Sequence, residues 1–251
     1  MKIFMGNLKW QLKWAVILIF LSALIYIFHY FIFRDVHHIF LYLIGDIAFV
    51  FIEVLMVTLV IHELLTMRDK KAIMEKMNMV VGAFFVEMGS TLLDRLNDFD
   101  KNFDDVKENF IDIDTWSKKE FPERLEMAKK INYEIDMRKG DLEELKNFLF
   151  EKREFMLRLL ENPNLLEHDS FTELLWAVTH LTEELSLRKD LKKCTDTDLN
   201  HLQGDLKRAY VILIYEWIEY MGHLKNKYPY LFSLAVRMNP FNPRASIEVK
   251  E

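Results

Sequence analysis

Two carboxylates, Asp46 and Glu53, stand inside the apolar run IFLYLIGDIAFVFIEVLMVTLVI at residues 39–61. Seven residues apart on a helix, they share one face, about 20° apart in azimuth. Near the centre of a bilayer an ionised acid costs roughly 2.5–3.5 kcal/mol, so two cost about 5–7. The 16 Leu, Ile, Phe and Val residues of the run offset roughly 5–10 kcal/mol on the same scale. The margin is small. The acids are therefore expected to be protonated, paired, or turned toward protein or water instead of lipid. Repeated around an oligomer, they make two acidic rings that attract cations and replace part of their hydration shell, or that pass protons. A hydrogen bond that locks the spans together uses the same residues and competes with that reading.

His29 is the companion that the first apolar run offers these acids, on a face shared with Ser22 and Tyr26. Its distance from the turn between the runs places it at a depth similar to that of Asp46. His37 and His38 sit at that turn, where imidazoles form a proton-sensitive rim.

Two further acids, Glu87 in VVGAFFVEM and Glu216 in VILIYEWIEYM, fall within the apolar arcs of their helices. They read as buried carboxylates of unassigned role. Burial requires a partner, for which Arg95, Arg208 and the tyrosines are available.

Metal and enzyme chemistry find less support. His180, Glu183 and Glu184 precede Asp198 and His201 in what reads as an antiparallel helix pair, the arrangement of bundle-core metal sites. By helical angle, however, His180 points away from the apolar face of Leu174, Val178, Leu181 and Leu185. His201 lies more than about 90° from its own apolar face. Solvated groups are the expectation, with no metal and no cofactor. His62-Glu63 lacks the second histidine of a zinc motif, because residue 66 is threonine. No phosphate-binding glycine loop or G-x-S-x-G elbow occurs. Enzymatic function is the less favoured class.

These residues must be positioned by helices. Residues 14–33 and 39–61 are 20 and 23 residues long, and at 1.5 Å per residue both suffice for a hydrocarbon core of about 30 Å. The first follows Lys2, Lys9 and Lys13. Its apolar run is too long for a signal peptide, and no small-x-small cleavage site follows. Residues 1–67 thus read as a transmembrane hairpin with a five-residue link, 34–38. Arg68, Lys70, Lys71 and Lys76 follow the second span, so the positive-inside rule places both termini in the cytoplasm.

Residues 68–238 read as a cytosolic all-α bundle of about five to six helices, and 239–251 as a loose tail. The second span continues without a linker into HELLTMRDKKAIMEKMNMVV. The acidic stretch 97–114 reads as a solvated connector or short helix. One helix is expected over 116–139, a second over 141–161 with Asp141 and Glu144 as a capping box, and a third from Ser170 to Leu187. A long helix at 198–227 and a short one after Pro229 complete the bundle.

The segments FRDVHHIFLYLIGDIAFVFIEV, NMVVGAFFVEMG and ENPNLLEHDSFTELLWAV resemble a group of uncharacterised two-span prokaryotic membrane proteins. The resemblance covers most of the chain and implies no activity.

Composition agrees with this architecture. Apolar residues make up 51%, and Gly and Pro number only 7 and 5, which argues against an all-β fold. The single cysteine, Cys194, excludes an internal disulfide framework. Net charge is −6, with the acidic excess beyond residue 71, so nucleic acid is not an expected partner. The reading is a homo-oligomeric, multi-pass protein of the prokaryotic inner membrane, in contact with lipid. It serves as a cation- or proton-conducting channel. The alternative is a non-conducting scaffold or sensor whose cytosolic domain recruits a protein partner.

Overall fold

The computed structural model describes residues 2–248. The protein is all-α: no strand occurs among the described residues, and one isolated antiparallel bridge pairs Asp100 with Ile135. Two compact units divide at Arg68, namely Met1–Arg68 and Asp69–Glu251.

The first unit holds helix α1, Lys2–Phe33, and the first part of helix α2, Val36–Phe84. Both contain windows long and apolar enough to cross a membrane, and none of either window is buried inside the chain. The apolar side chains point outward all round, as Phe20 and Phe51 show at 68% and 76% exposure. A helix that is apolar on every side needs an apolar environment on every side. The link between the helices is two residues, shorter than the five expected. Arg34 takes the left-handed conformation (φ 49°), and its N–H donates to the Tyr30 carbonyl at 2.8 Å. The Asp35 carboxylate then accepts the His38 N–H at 3.2 Å, so capping lets α2 begin at once.

The second unit comprises the end of α2, a π-turn at Phe85–Gly89, and eight further helices. These are α3 Ser90–Asn97, α4 Phe103–Lys107, α5 Glu120–Ala128, α6 Leu142–Glu151, α7 Arg153–Leu160, α8 Asp169–Leu187, α9 Asp196–Lys227 and α10 Pro229–Arg237. Helix α9 is the centre of the core. It buries Leu206, Tyr210, Leu213, Ile214, Trp217, Ile218 and Met221 against its neighbours. Each such side chain contributes roughly 1.5–3 kcal/mol by leaving water. The ring pairs Phe85–Tyr220, at 4.8 Å, and Phe84–Phe171, at 5.4 Å, seat the end of α2 in this core.

Several elements differ from expectation. The helix expected over 116–139 is confined to α5. Asp100 is fully buried, and its carboxylate accepts the N–H groups of Asn102 and Glu134. Lys101 and Asp136 then exchange backbone hydrogen bonds with Glu134 and Phe99. These bonds hold residues 134–136 extended, at the expense of helix. The acidic stretch 97–114 holds the short helix α4, the second of its two expected forms, and is not a solvated connector, because Phe99, Val106, Phe110 and Ile113 are buried.

The helix expected over 141–161 breaks at Lys152 into α6 and α7. Asp141 caps α6 through the N–H groups of Glu143 and Glu144, whereas the Glu144 side chain pairs with Arg95. His168, not Ser170, caps α8, its Nδ1 accepting the Phe171 N–H. The tail is docked at its start: Asn239 and Phe241 are buried, and the end of the expected tail, 249–251, lies outside the described residues.

Candidate functional site

The sequence-derived site residues fall into separate groups. On α2, Asp46 and Glu53 are exposed, and neither makes a hydrogen bond or ion pair with any described residue. The Gly45 position beside Asp46 faces open space, with no atom within 4 Å of where a Cβ would stand. The face that carries both acids is open within one copy of the chain, since Phe49, Val50 and Val57 beside them are exposed too.

His29 has aromatic neighbours. Its ring stacks on His38 at 5.8 Å with planes 6° apart, and lies 4.6 Å from Phe33. His38 in turn contacts Tyr42 at 4.6 Å. Nδ1 of His29 is buried without a hydrogen-bond partner. His29 is thus part of a two-histidine stack at the turn. The reason is that the two-residue link brings His38 back over the last turn of α1.

Glu87 is not buried. Its side chain is 52% exposed and pairs with Lys152 at 2.8 Å. That contact holds its carboxyl below the usual range, hydrogen bonding first and charge second. The π-turn explains the difference. A wider turn shifts the helix phase, so that Phe85, Met88 and Gly89 face the core while Glu87 faces out. Gly89 has no room for a side chain, since a Cβ there would meet the Phe84 and Phe85 rings at 2.6–2.8 Å.

Glu216 is buried as expected, but the expected partner is missing. The residue has no exposed surface, and neither carboxylate oxygen has a hydrogen-bond partner among the described residues. Arg95 is taken by Glu144 and Arg208 by Asp205. Burial pushes the carboxyl up to about 7, against a partial opposing pull from Ser170, with the Glu219 charge adding to the rise. His168 and Glu219 place ligand-type atoms within 4.8 Å of Glu216, and burial depresses the His168 imidazole. Burial thus shifts this carboxyl toward its protonated form and the neighbouring imidazole toward its neutral form.

His180 and His201 are 46% and 57% exposed, as their helical phases demand. Both nevertheless approach Asp205, a residue that the sequence did not single out. The signal that points to it is spacing. His180 and Glu184 on α8, and His201 and Asp205 on α9, are each four residues apart and so share a helix face.

Comparison with known proteins covers both units. Residues 4–65 match the family described as "MJ1433, N-terminal helical domain". Residues 73–237 match "Uncharacterized protein MJ1433, C-terminal helical domain". The chain is 45% identical over 243 residues to "Uncharacterized protein MJ1433" of Methanocaldococcus jannaschii, covering 97% of this chain and 98% of that protein. No solved structure matches.

Proposed function

The chain belongs to the MJ1433 family, an uncharacterised group, and from that premise we propose that it is a homo-oligomeric protein of the prokaryotic cytoplasmic membrane whose second spans line a path for cations or protons. The observation that carries the reading is the partnerless pair Asp46 and Glu53 on one open face of α2. In lipid each acid costs roughly 2.5–3.5 kcal/mol near the helix centre. Among the described residues of one copy no group pairs with them, so a neighbouring copy or enclosed water offsets that cost. Acids that face each other around an axis form rings at two depths, separated by about 10.5 Å along the helix. Both termini lie in the cytoplasm, and the stack of His29 and His38 sits at the outer turn.

Topology is tested in a Cys194→Ser background. A cysteine placed at Val36 is expected to react with an impermeant thiol reagent added outside, and one at Ser246 to be protected. External labelling at Ser246 reverses the orientation.

Conduction is tested by the Asp46→Asn, Glu53→Gln double variant in proteoliposomes. Size and hydrogen-bonding capacity are kept, while charge and the exchangeable proton are lost. A unit charge acts on a cation 4 Å away with about 1–4 kcal/mol between bulk water and the protein surface, or one to three powers of ten in occupancy. The double variant is expected to assemble as the wild type does and to lose its flux by that order. Glu53, nearer the middle of the span, should dominate the loss. Contacts between spans average only about 0.6 kcal/mol, so amides replace carboxyls well if the acids merely lock helices together. Flux equal to wild type in the double variant removes these residues from the path. Wild-type vesicles that pass neither cations nor protons under any gradient or voltage leave a non-conducting scaffold.

A further inference from the structure

Helices α8 and α9 form an antiparallel hairpin joined by residues 188–195, with Arg188 facing Asp198, Glu184 facing His201 and His180 facing Asp205. His180 lies about 10.5 Å before the end of α8, and His201 and Asp205 lie about 7.5 and 13.5 Å after the start of α9, so the three bracket one height. Nε2 of His180 is 3.5 Å from Oδ2 of Asp205, and Nε2 of His201 is 3.4 Å from the same oxygen. All three atoms lie within 4.8 Å of one another.

The Asp205 side chain is only 6% exposed, and its Oδ2 has no hydrogen-bond partner, although two imidazoles stand beside it. The other oxygen, Oδ1, accepts from Arg208 at 3.3 Å. A buried carboxylate oxygen without a partner is costly. Here it is aimed into the gap between two nitrogens that do not meet it in hydrogen-bond geometry. Ligand bonds of about 2.0–2.2 Å in a tetrahedron require ligand atoms about 3.4 Å apart. The two nitrogen–oxygen distances, 3.5 and 3.4 Å, are close to it.

We propose that His180, His201 and Asp205 bind a divalent transition-metal ion of the zinc class. Two imidazoles and one carboxylate suit zinc and its neighbours, whereas calcium and magnesium take oxygen ligands. The half-exposed imidazoles leave the remaining position open to water, as in sites with three protein ligands. Glu184 adds negative charge at the rim. Its Oε2 is 3.8 Å from Nε2 of His201 and is held by Arg188 at 2.6 Å, which also grips Asp198. This arginine clamp, whose guanidinium is held firmly charged by Asp198 first and Glu184 second, sets the register of the two helices at the site.

The experiment uses the full chain, tag-free and in detergent, titrated with Co²⁺ and then with Zn²⁺. Tetrahedral Co²⁺ gives visible absorption bands that zinc displaces. One ion per chain is expected. Loss of an outer partner of a metal site typically costs about 10–100-fold in affinity, so loss of two ligands in His180→Ala with His201→Ala should cost about 100-fold or more, and Glu184→Gln, which removes only a rim charge, less than that. The histidines are about half exposed, so the double variant should keep its fold, which circular dichroism checks. His37→Ala with His38→Ala should bind as the wild type does. Absence of stoichiometric binding to the wild type, or unchanged binding in the folded His180, His201 double variant, overturns the site.

Discussion

Phe241→Ala is expected to destabilise the second unit by about 3–5 kcal/mol, as for other buried phenylalanines truncated in a packed core. That is a large share of the 5–15 kcal/mol that holds a typical domain together. Phe241 is fully buried, with its ring 4.8 Å from Phe110 and 5.1 Å from Trp217. The backbone around it is tied down as well. The Asn239 side chain donates to the carbonyls of Phe110 and Ile111 and accepts the Phe241 N–H. Asn97 donates to the Pro240 carbonyl and accepts from the Tyr210 hydroxyl at 2.8 Å. Removing the ring leaves a cavity and loosens a strap that joins α3, α9 and the segment after α4. Truncation before Asn239 should cost at least as much, whereas truncation after Ser246 should stay within about 0.5 kcal/mol, the usual range at a surface. Urea midpoints of the full chain in detergent, followed by circular dichroism, measure all three. A midpoint for Phe241→Ala equal to that of the wild type would show that the strap does not hold the core.

Glu216→Gln should stabilise the second unit at pH 8 by up to about 3 kcal/mol, and by much less at pH 5. The sign follows from proton counting. Burial raises the folded carboxyl to about 7 from an ordinary value of 4.5. Between those values the folded state binds more protons than the unfolded state, so stability falls as pH rises through the window. Below about 4.5 both states are protonated and this group adds no slope. Above about 7 both are ionised, and the buried charge carries its full cost. Glutamine mimics the protonated form at every pH, so the gap between variant and wild type should open from pH 5 to pH 8. Taking that difference removes the opposite slope of His168, whose depressed imidazole loses stability as pH falls. A gap of equal size at both pH values would mean that Glu216 is held by a partner and titrates as an exposed acid does.

Hydrophobic periodicity was enough to place the two apolar helices, the all-α class and the long central helix α9. These features rest on patterns within 10–30 residues, where side-chain burial and capping act locally. The buried state of Glu216 was legible for the same reason, because its neighbours in VILIYEWIEYM are apolar on every side but one. Features that depend on contacts distant in the chain were not legible. Residues 134–136 read as helix, yet Asp100, 34 residues before Glu134, captures the Glu134 N–H, and the Phe99 carbonyl accepts that of Asp136. The segment at 239–241 reads as tail, yet it fills a hole left by Phe110 and Trp217. Glu87 reads as buried until a π-turn changes the phase of its helix.

The site on α8 and α9 shows the same division. Helical angles correctly turn His180 and His201 toward solvent, because each angle is measured against the apolar face of its own helix. They say nothing about the edge of the interface, where exposed positions of two neighbouring helices meet. His201 reaches the buried oxygen of Asp205 from one turn earlier on α9, but only the register of the hairpin, held by Arg188 between Glu184 and Asp198, brings the His180 imidazole to it. A helix fixes the direction of a side chain from sequence. Which atoms it meets is decided by how that helix packs against the next.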